Sequence, residues 1–140
     1  MFIKANMRGG YRQAAAYLKD IGANETSRLI TISDPHATNL DEAFQNMWAV
    51  ASRTKAKKPL LHFSINPYRE NITDQVAHEI AATYAARCGF DLNIHQWVMV
   101  EHVKDGRQHY HVIVNRVSPV TRRCIDPGLY KKKPAKFRVK

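Results

Sequence analysis

Hydrophobic residues recur at helical spacing in three stretches of the chain. This spacing predicts helices from about Tyr11 to Ile21, from the capping residue Asn39 to about Thr54, and from about Thr73 to Cys88. Glu42 stands at the capping-box position of the second helix, and Gly89 ends the third. The positions predicted to be buried are Tyr11, Ala14, Ala15, Leu18 and Ile21 in the first helix, Leu40, Ala43, Phe44, Met47, Trp48 and Ala51 in the second, and Val76, Ala77, Ile80, Ala81 and Tyr84 in the third.

Shorter apolar runs between these helices predict strands. They cover Phe2–Ala5, Arg28–Ser33 and Leu60–Asn66, followed by two strands on either side of Asp105-Gly106, a dipeptide typical of hairpin turns. Strands and helices alternate along the chain, and we find no internal repeat. The predicted fold class is α+β, with a central, mainly antiparallel sheet and flanking helices.

Three histidines of the predicted hairpin are expected on one face of the sheet. Side chains alternate along a strand, so His109 and His111 point the same way. If the hairpin closes symmetrically, His102 lies opposite His109 and Val100 lies opposite His111. Three imidazoles on one surface suit a divalent metal ion, and nitrogen ligands favour zinc or manganese over magnesium.

Length and cysteine content narrow the class of protein. A chain of 140 residues is long enough for one domain with an ordinary core. Cys88 and Cys124 have neither the number nor the spacing of a disulfide framework or a cysteine-based zinc site. The chain does not begin like a secretory signal, and no stretch reaches transmembrane length. We therefore expect a cytoplasmic protein without a membrane partner.

The charge is concentrated at the C-terminal end. Of the formal net charge of +10, the segment from Arg122 to Lys140 carries +7, from eight Lys or Arg residues and one Asp. Such a segment favours a polyanion such as nucleic acid, but it is equally typical of a solvated, disordered tail. Charge alone does not choose between these interpretations.

Two further groups of residues are candidates for chemistry. Tyr17 lies at the edge of the first helix's apolar stripe, where its ring can pack while its hydroxyl stays accessible, although most such tyrosines serve packing alone. The segment Arg8-Gly9-Gly10 leads into the N-terminus of the same helix, a position suited to phosphate. His62 and Ser64 share a face of their strand, a pair that says little by itself.

Together these residues resemble the relaxase, or mobilisation nuclease, family of conjugative and mobilisable plasmids, within the HUH endonuclease superfamily. The segment 102–117 is similar to the family's motif His-x-Asp-x(4)-His-x-His, a hydrophobic run and Asn-Arg-Val. The segment 9–18 is similar to the motif Gly-Gly, an aromatic residue and Ala-Ala-x-Tyr-Leu, and the segment 62–64 is similar to His-x-Ser. The chain departs from the family at Lys104, where an Asp is usual, and Asp105 is the adjacent carboxylate.

The resemblance implies an HUH-type nicking domain in residues 1–121, followed by a basic tail in residues 122–140 that could be the start of a longer region. Tyr17 would be the nucleophile that nicks one DNA strand at a transfer origin, forms a 5′-phosphotyrosine and later allows religation. A divalent ion (Mg, Mn or Zn) on His102, His109 and His111 would activate the phosphate, because a phenol with a pKa of about 10 is a weak nucleophile at neutral pH. The DNA contacts implied are Arg8, Arg12, Ser64, Lys131, Lys132 and Lys133.

The resemblance also implies partners. They are single-stranded DNA of the transfer origin, accessory DNA-binding proteins and a type IV secretion coupling protein, in a bacterial cytoplasm. Whether the protein passes with the DNA into a recipient cell stays open.

Two other functions remain open from the sequence. A rolling-circle replication initiator of the same superfamily would use a tyrosine after the histidine motif, and Tyr130 stands in such a Tyr-x-x-Lys pattern. A non-catalytic DNA-binding module would keep the fold but not cut, which is consistent with Lys104. A structural zinc domain is less well supported because no fourth ligand is evident.

Overall fold

The computed structural model describes residues 1–20, 22, 25–68, 70–127 and 135–136. Within these residues there are six strands and three helices, and each of the first three strands is followed by a helix. In chain order they are β1 (Phe2–Arg8), α1 (Tyr11–Lys19), β2 (Glu25–Ile32), α2 (Leu40–Ala51), β3 (Leu60–Asn66), α3 (Asp74–Arg87), β4 (Trp97–Lys104), β5 (Arg107–Asn115) and the two-residue β6 (Ala135–Lys136).

The strands form one sheet in the order β2-β4-β5-β3-β1-β6, and every pairing between them is antiparallel. This architecture confirms the predicted α+β class. None of the described helices is long and apolar enough to cross a membrane.

The β4–β5 hairpin closes in the predicted register. Asp105 and Gly106 form its turn with φ angles of 51° and 76°, a backbone conformation that favours glycine, asparagine and aspartate. His102 pairs with His109, and Val100 pairs with His111. Because strand parity is preserved, the three histidines lie on one face of the sheet.

Helices cover both faces of the sheet. On one face, α1 and α2 pack over apolar side chains of the central strands, forming the cluster Ala14, Ala15, Leu18, Ala43, Phe44, Met47, Leu60, Val98, Val100 and Ile113. On the other face, α3 packs over a second cluster that includes Phe63, Tyr84, Tyr110 and Val112. The histidines lie on the face that carries α1, beyond the edge of its apolar cluster.

The second helix corrects one prediction of burial. Met47 is buried against the sheet, but Trp48 has 54% of its surface exposed. Successive residues of a helix are turned by about 100°, so Trp48 points towards the edge of α1 and its ring lies 6.0 Å from that of Tyr11. Tyr11 itself is half-buried against the α1–α2 cluster.

Several element ends also differ from the prediction. β1 continues to Arg8, and β2 begins at Glu25, three residues before the predicted start. The helix α1 ends at Lys19, because Asp20 has an extended conformation, while Ile21 lies outside the described residues.

The N-terminal caps of α2 and α3 lie where the sequence predicts these helices to begin. Asn39 caps α2 by accepting a hydrogen bond from the Glu42 backbone, although Glu42 itself binds Thr38 rather than closing a capping box. Thr73 caps α3. The helix α2 ends three residues earlier than predicted, at Ala51.

The end of the hairpin is fixed by two polar residues that bind backbone groups. Asn115 is fully buried, donates to the carbonyl of Met47 and accepts from the backbone N–H of Val117. Arg116 donates to the carbonyls of Lys58 and Ile125. These contacts join β5 to α2, to the loop after α2 and to the segment beyond residue 117.

We expect Asn115→Ala to lower the free energy of unfolding by about 3 kcal/mol, because it leaves buried backbone groups without partners. Urea denaturation would measure this loss. Asn93→Ala is the matched control, since Asn93 is exposed and should cost less than about 0.5 kcal/mol. Equal stability of the two variants would contradict the structural role of Asn115.

Candidate active site

A cavity of about 480 Å³ lies at the edge of α1, on the histidine face of the sheet. Its walls come from five neighbouring strands, β1 to β5, and from the end of α1. The lining side chains include Lys4, Tyr17, Asp20, Glu25, Ser64, Asn66, His102, Lys104, His109 and His111. The predicted nucleophile and the three predicted metal ligands therefore share one cavity.

The cavity contains a compact group of aromatic rings. The ring of His111 lies 4.7 Å from that of His102 and 5.2 Å from that of His62. Tyr17 packs edge-on against this group, with its ring centre 5.3 Å from that of His62 and 5.4 Å from that of His111. Tyr17 is 43% exposed, so a substrate can reach it while its ring remains packed.

The turn between β1 and α1 brings Arg8 to the same group. A Cβ atom at Gly9 would lie 2.9 Å from the carbonyl oxygen of Lys57, so only glycine allows this turn to pack so closely against the loop after α2. Arg8 ends β1, and its guanidinium lies 4.6 Å from the centre of the Tyr17 ring. A positive charge is thus fixed beside the predicted nucleophile.

Hydrogen bonds link Arg8 to two buried histidines. Arg8 Nε donates to His62 Nδ1 at 2.8 Å, and His62 Nε2 lies 3.0 Å from His111 Nδ1. Because a guanidinium can only donate, neutral His62 carries its proton on Nε2 and donates it to His111. Neutral His111 then carries its own proton on Nε2.

The environment keeps these histidines neutral. Burial lowers the pKa of His62 to about 3, and the charge of Arg8 acts in the same direction. Burial and the neighbouring imidazoles lower the pKa of His111 to about 3 as well. The pKa of His109 is also lowered, chiefly by burial. Neutral imidazole is the form of histidine that binds metal ions.

The other two predicted ligands also have their Nδ1 atoms in contact with side chains. His109 Nδ1 lies 2.6 Å from Asn66 Oδ1, and the amide of Asn66 is oriented by its own donation to Ser64 Oγ. His102 Nδ1 lies 3.3 Å from Glu25 Oε1, while its Nε2 lies 2.9 Å from the carbonyl oxygen of Leu18.

The donor set suits a divalent cation in chemical type. In the part of the chain that the structure describes, however, no three potential ligands are arranged to hold an ion without movement. His102 would have to leave the Leu18 carbonyl, and His111 would have to release or transfer its Nε2 proton. Cation binding would therefore exchange two local contacts and release protons.

The predicted DNA contacts fall into three groups. Ser64 lines the cavity and holds Asn66, and Arg8 lies beside the cavity through its contacts with His62 and Tyr17. Arg12 is exposed on α1 and lines a separate groove between α1 and α2. The segment 131–133, with its three lysines, and Tyr130 lie outside the described residues.

Sequence reasoning missed several residues of the cavity. His62 was noticed only as half of a weak pair, although it contacts both Arg8 and His111. Lys4, Glu25 and Asn66 carry no motif of their own. The alternation of β1 and β3 could have placed Lys4 and Asn66 on the histidine face, but only the strand order shows that they are close.

The comparison with known families agrees with this fold. Residues 17–138 match the family model for the MobA/VirD2-like relaxase nuclease domain. Because this match covers most of the chain, the protein belongs to that relaxase family, whose function is DNA nicking and whose substrate is DNA. Neither the curated proteins nor the solved structures yield a match to the chain.

The buried histidines predict a loss of stability on mild acidification. In the unfolded chain His62 and His111 titrate near pH 6.5, whereas their folded pKa values are far lower. Between pH 7 and pH 5 the unfolded state gains protons that the folded state does not bind, so stability falls by about 2 kcal/mol for each histidine. Asp74 and Glu101, whose folded pKa values are also lowered, lose their contributions below this range.

Urea denaturation at pH 7, 6 and 5 would measure this effect. We expect His111→Gln to reduce the loss between pH 7 and pH 5 by about 2 kcal/mol. An unchanged pH dependence in this variant would show that His111 is not held neutral by the fold.

Proposed function

We propose that this protein nicks one DNA strand by transesterification with Tyr17 and later rejoins it. The observation that carries the proposal is the placement of the Tyr17 ring beside His62, His111 and Arg8, at the mouth of a cavity lined by three histidines. The site thus combines an accessible phenol, a fixed positive charge and a set of potential metal ligands.

The reaction would exchange one phosphodiester for another. The phenolic oxygen of Tyr17 attacks the phosphorus and loses its proton, the bond from phosphorus to the 3′ oxygen breaks, and that oxygen takes up a proton. The 5′ phosphate remains esterified to Tyr17. Attack by a 3′ hydroxyl reverses these steps, so rejoining needs no external energy source.

Charges around the cavity support this chemistry. Arg8 can attract the substrate phosphate and offset the negative charge that develops during attack. Lys4 and Lys104 line the same cavity, where they can neutralise neighbouring phosphates. A divalent cation held by His102, His109 and His111 would polarise a non-bridging oxygen of the phosphate.

The groove beside α1 offers a path for single-stranded DNA. Tyr11 and Arg12 line this groove, with the Arg12 guanidinium 6.0 Å from the centre of the Tyr11 ring, and the exposed Trp48 packs against the same ring. Tyr11 and Tyr17 are six residues apart on one helix, which is about 9 Å along its axis. Bases stacked on the Tyr11 and Trp48 rings would therefore lie only a few nucleotides from the phosphate at Tyr17.

Covalent trapping would test the nicking reaction. The protein would be incubated with Mn²⁺ and single-stranded fragments of its native replicon, and adducts would be separated on a denaturing gel. We expect an adduct with the wild-type protein that disappears in Tyr17→Phe and after chelation by EDTA. Tyr11→Phe, on the same helix, is the matched control and should still form the adduct.

The same gel separates the alternative functions. Loss of the adduct only in Tyr130→Phe would assign the protein to the replication initiators and refute the role of Tyr17. DNA binding without any adduct would instead identify a non-catalytic module.

We expect Trp48 to contact single-stranded DNA directly. The chain has two tryptophans, and Trp97 is only 7% exposed, so quenching of tryptophan fluorescence by an oligonucleotide should report on Trp48. Trp97→Phe should keep the quenching, and Trp48→Ala should lose it and weaken binding about tenfold.

This titration would be run in EDTA so that nicking does not interfere. Val120→Ala serves as the control because Val120 is highly exposed and apolar. If Trp48→Ala binds as tightly as this control, the groove is not a stacking surface for DNA.

A further inference from the structure

We propose that Glu25 orients His102 for cation binding and is therefore a positioning residue of the active site. This inference rests on the proposed function of the histidine cavity. Glu25 Oε1 lies 3.3 Å from His102 Nδ1, and both side chains are largely shielded from solvent. Glu25 belongs to none of the three sequence motifs.

The register of the sheet explains how Glu25 reaches the cavity. Across the β2–β4 pairing, Glu25 lies opposite Lys104, and Ser27 lies opposite His102. Glu25 is thus the diagonal neighbour of His102 on the same face, within reach of a long side chain. The carboxylate beside His102 comes from the adjacent strand, which leaves position 104 free to carry a lysine that lines the cavity.

In the structure His102 Nε2 donates to the Leu18 carbonyl, so a cation would have to replace the hydrogen on that nitrogen, and the Glu25 carboxylate beside Nδ1 favours the tautomer that cation binding requires. A neutral imidazole that donates through Nδ1 keeps the lone pair of Nε2 for a metal ion, and a carboxylate acceptor makes that nitrogen more basic. Asn66 stands in the same relation to His109, since its Oδ1 lies 2.6 Å from His109 Nδ1. Glu25 is the corresponding partner for His102.

The structure also shows how His102 can leave its present contact at low cost. Its Nε2 lies 2.9 Å from the carbonyl oxygen of Leu18, and that oxygen also accepts a hydrogen bond from Ser27 Oγ at 3.1 Å. When His102 turns to a cation, Ser27 continues to satisfy the carbonyl. The exchange therefore leaves no buried backbone acceptor without a partner.

Binding of Mn²⁺ in the absence of DNA would test this role. The EPR signal of the free ion gives the affinity of the wild-type protein, Glu25→Ala, His102→Ala and the double variant. We expect Glu25→Ala to bind Mn²⁺ about 10- to 100-fold more weakly. In the His102→Ala background, Glu25→Ala should cause no further loss, because the two residues act through one contact.

Glu79→Ala is the matched control, since Glu79 is exposed on α3, on the opposite face of the sheet, and the variant removes the same side chain and charge. We expect it to leave the Mn²⁺ affinity unchanged, and melting temperatures would establish that all variants fold. Wild-type affinity in Glu25→Ala, an equal loss in Glu79→Ala, or additive losses in the double variant would overturn the inference. Failure of the wild-type protein to bind Mn²⁺ would overturn both this inference and the metal-dependent step. The role of Tyr17 is tested by the separate adduct experiment, so the two failures can be distinguished.

Discussion

The antiparallel register of β4 and β5 is the constraint on which the site depends. With Asp105 and Gly106 at the turn, His102 must lie opposite His109, and His111 must lie on the same face. A shift of one residue in either strand would turn its histidines to the α3 face, into the apolar core. The turn and the strand register thus place the predicted ligands on one face, independently of the contacts between their side chains.

The free-energy cost of burying the polar histidine rings on this face is offset by contacts with specific polar partners. His62, His102, His109 and His111 each contact another polar group, and no described buried side-chain nitrogen or oxygen lacks a hydrogen-bond partner. The Leu18 carbonyl that His102 contacts also accepts a hydrogen bond from Ser27, whereas for the other three histidines removing one member of a pair leaves the other without that partner. The contacts that orient the histidine rings are therefore the same contacts that offset the free-energy cost of burying them.

The sequence was sufficient to predict the features that follow from local periodicity. It predicted the hairpin register, the histidine face and the stripe of α1, because parity and helical spacing act over a few residues. It did not predict the first residues of β2, since Glu25, Thr26 and Ser27 are polar and do not form an apolar run. That segment is a strand because β4 offers it backbone hydrogen bonds, which the sequence alone does not show.

Trp48 illustrates a different limit of prediction. Its size and apolar ring favour burial, yet the sheet-facing position in that turn of α2 is taken by Met47. The helical wheel could not separate two adjacent candidates without knowledge of where α1 lies. The sequence analysis missed Glu25 and mispredicted Trp48 for the same reason. The position of each side chain depends on contacts with distant elements of the chain.

The contacts of Asn115 and Arg116 bear on what the presence of these two residues in a related sequence would indicate. Both belong to the most recognisable part of the histidine motif, yet four of their side-chain contacts are with main-chain groups away from the catalytic cavity. A descendant of this chain could lose its histidines, and with them the proposed chemistry, while these two residues continued to hold the hairpin in place. Their presence in a sequence therefore indicates the architecture, whereas the proposed cutting of DNA depends on the histidines and Tyr17.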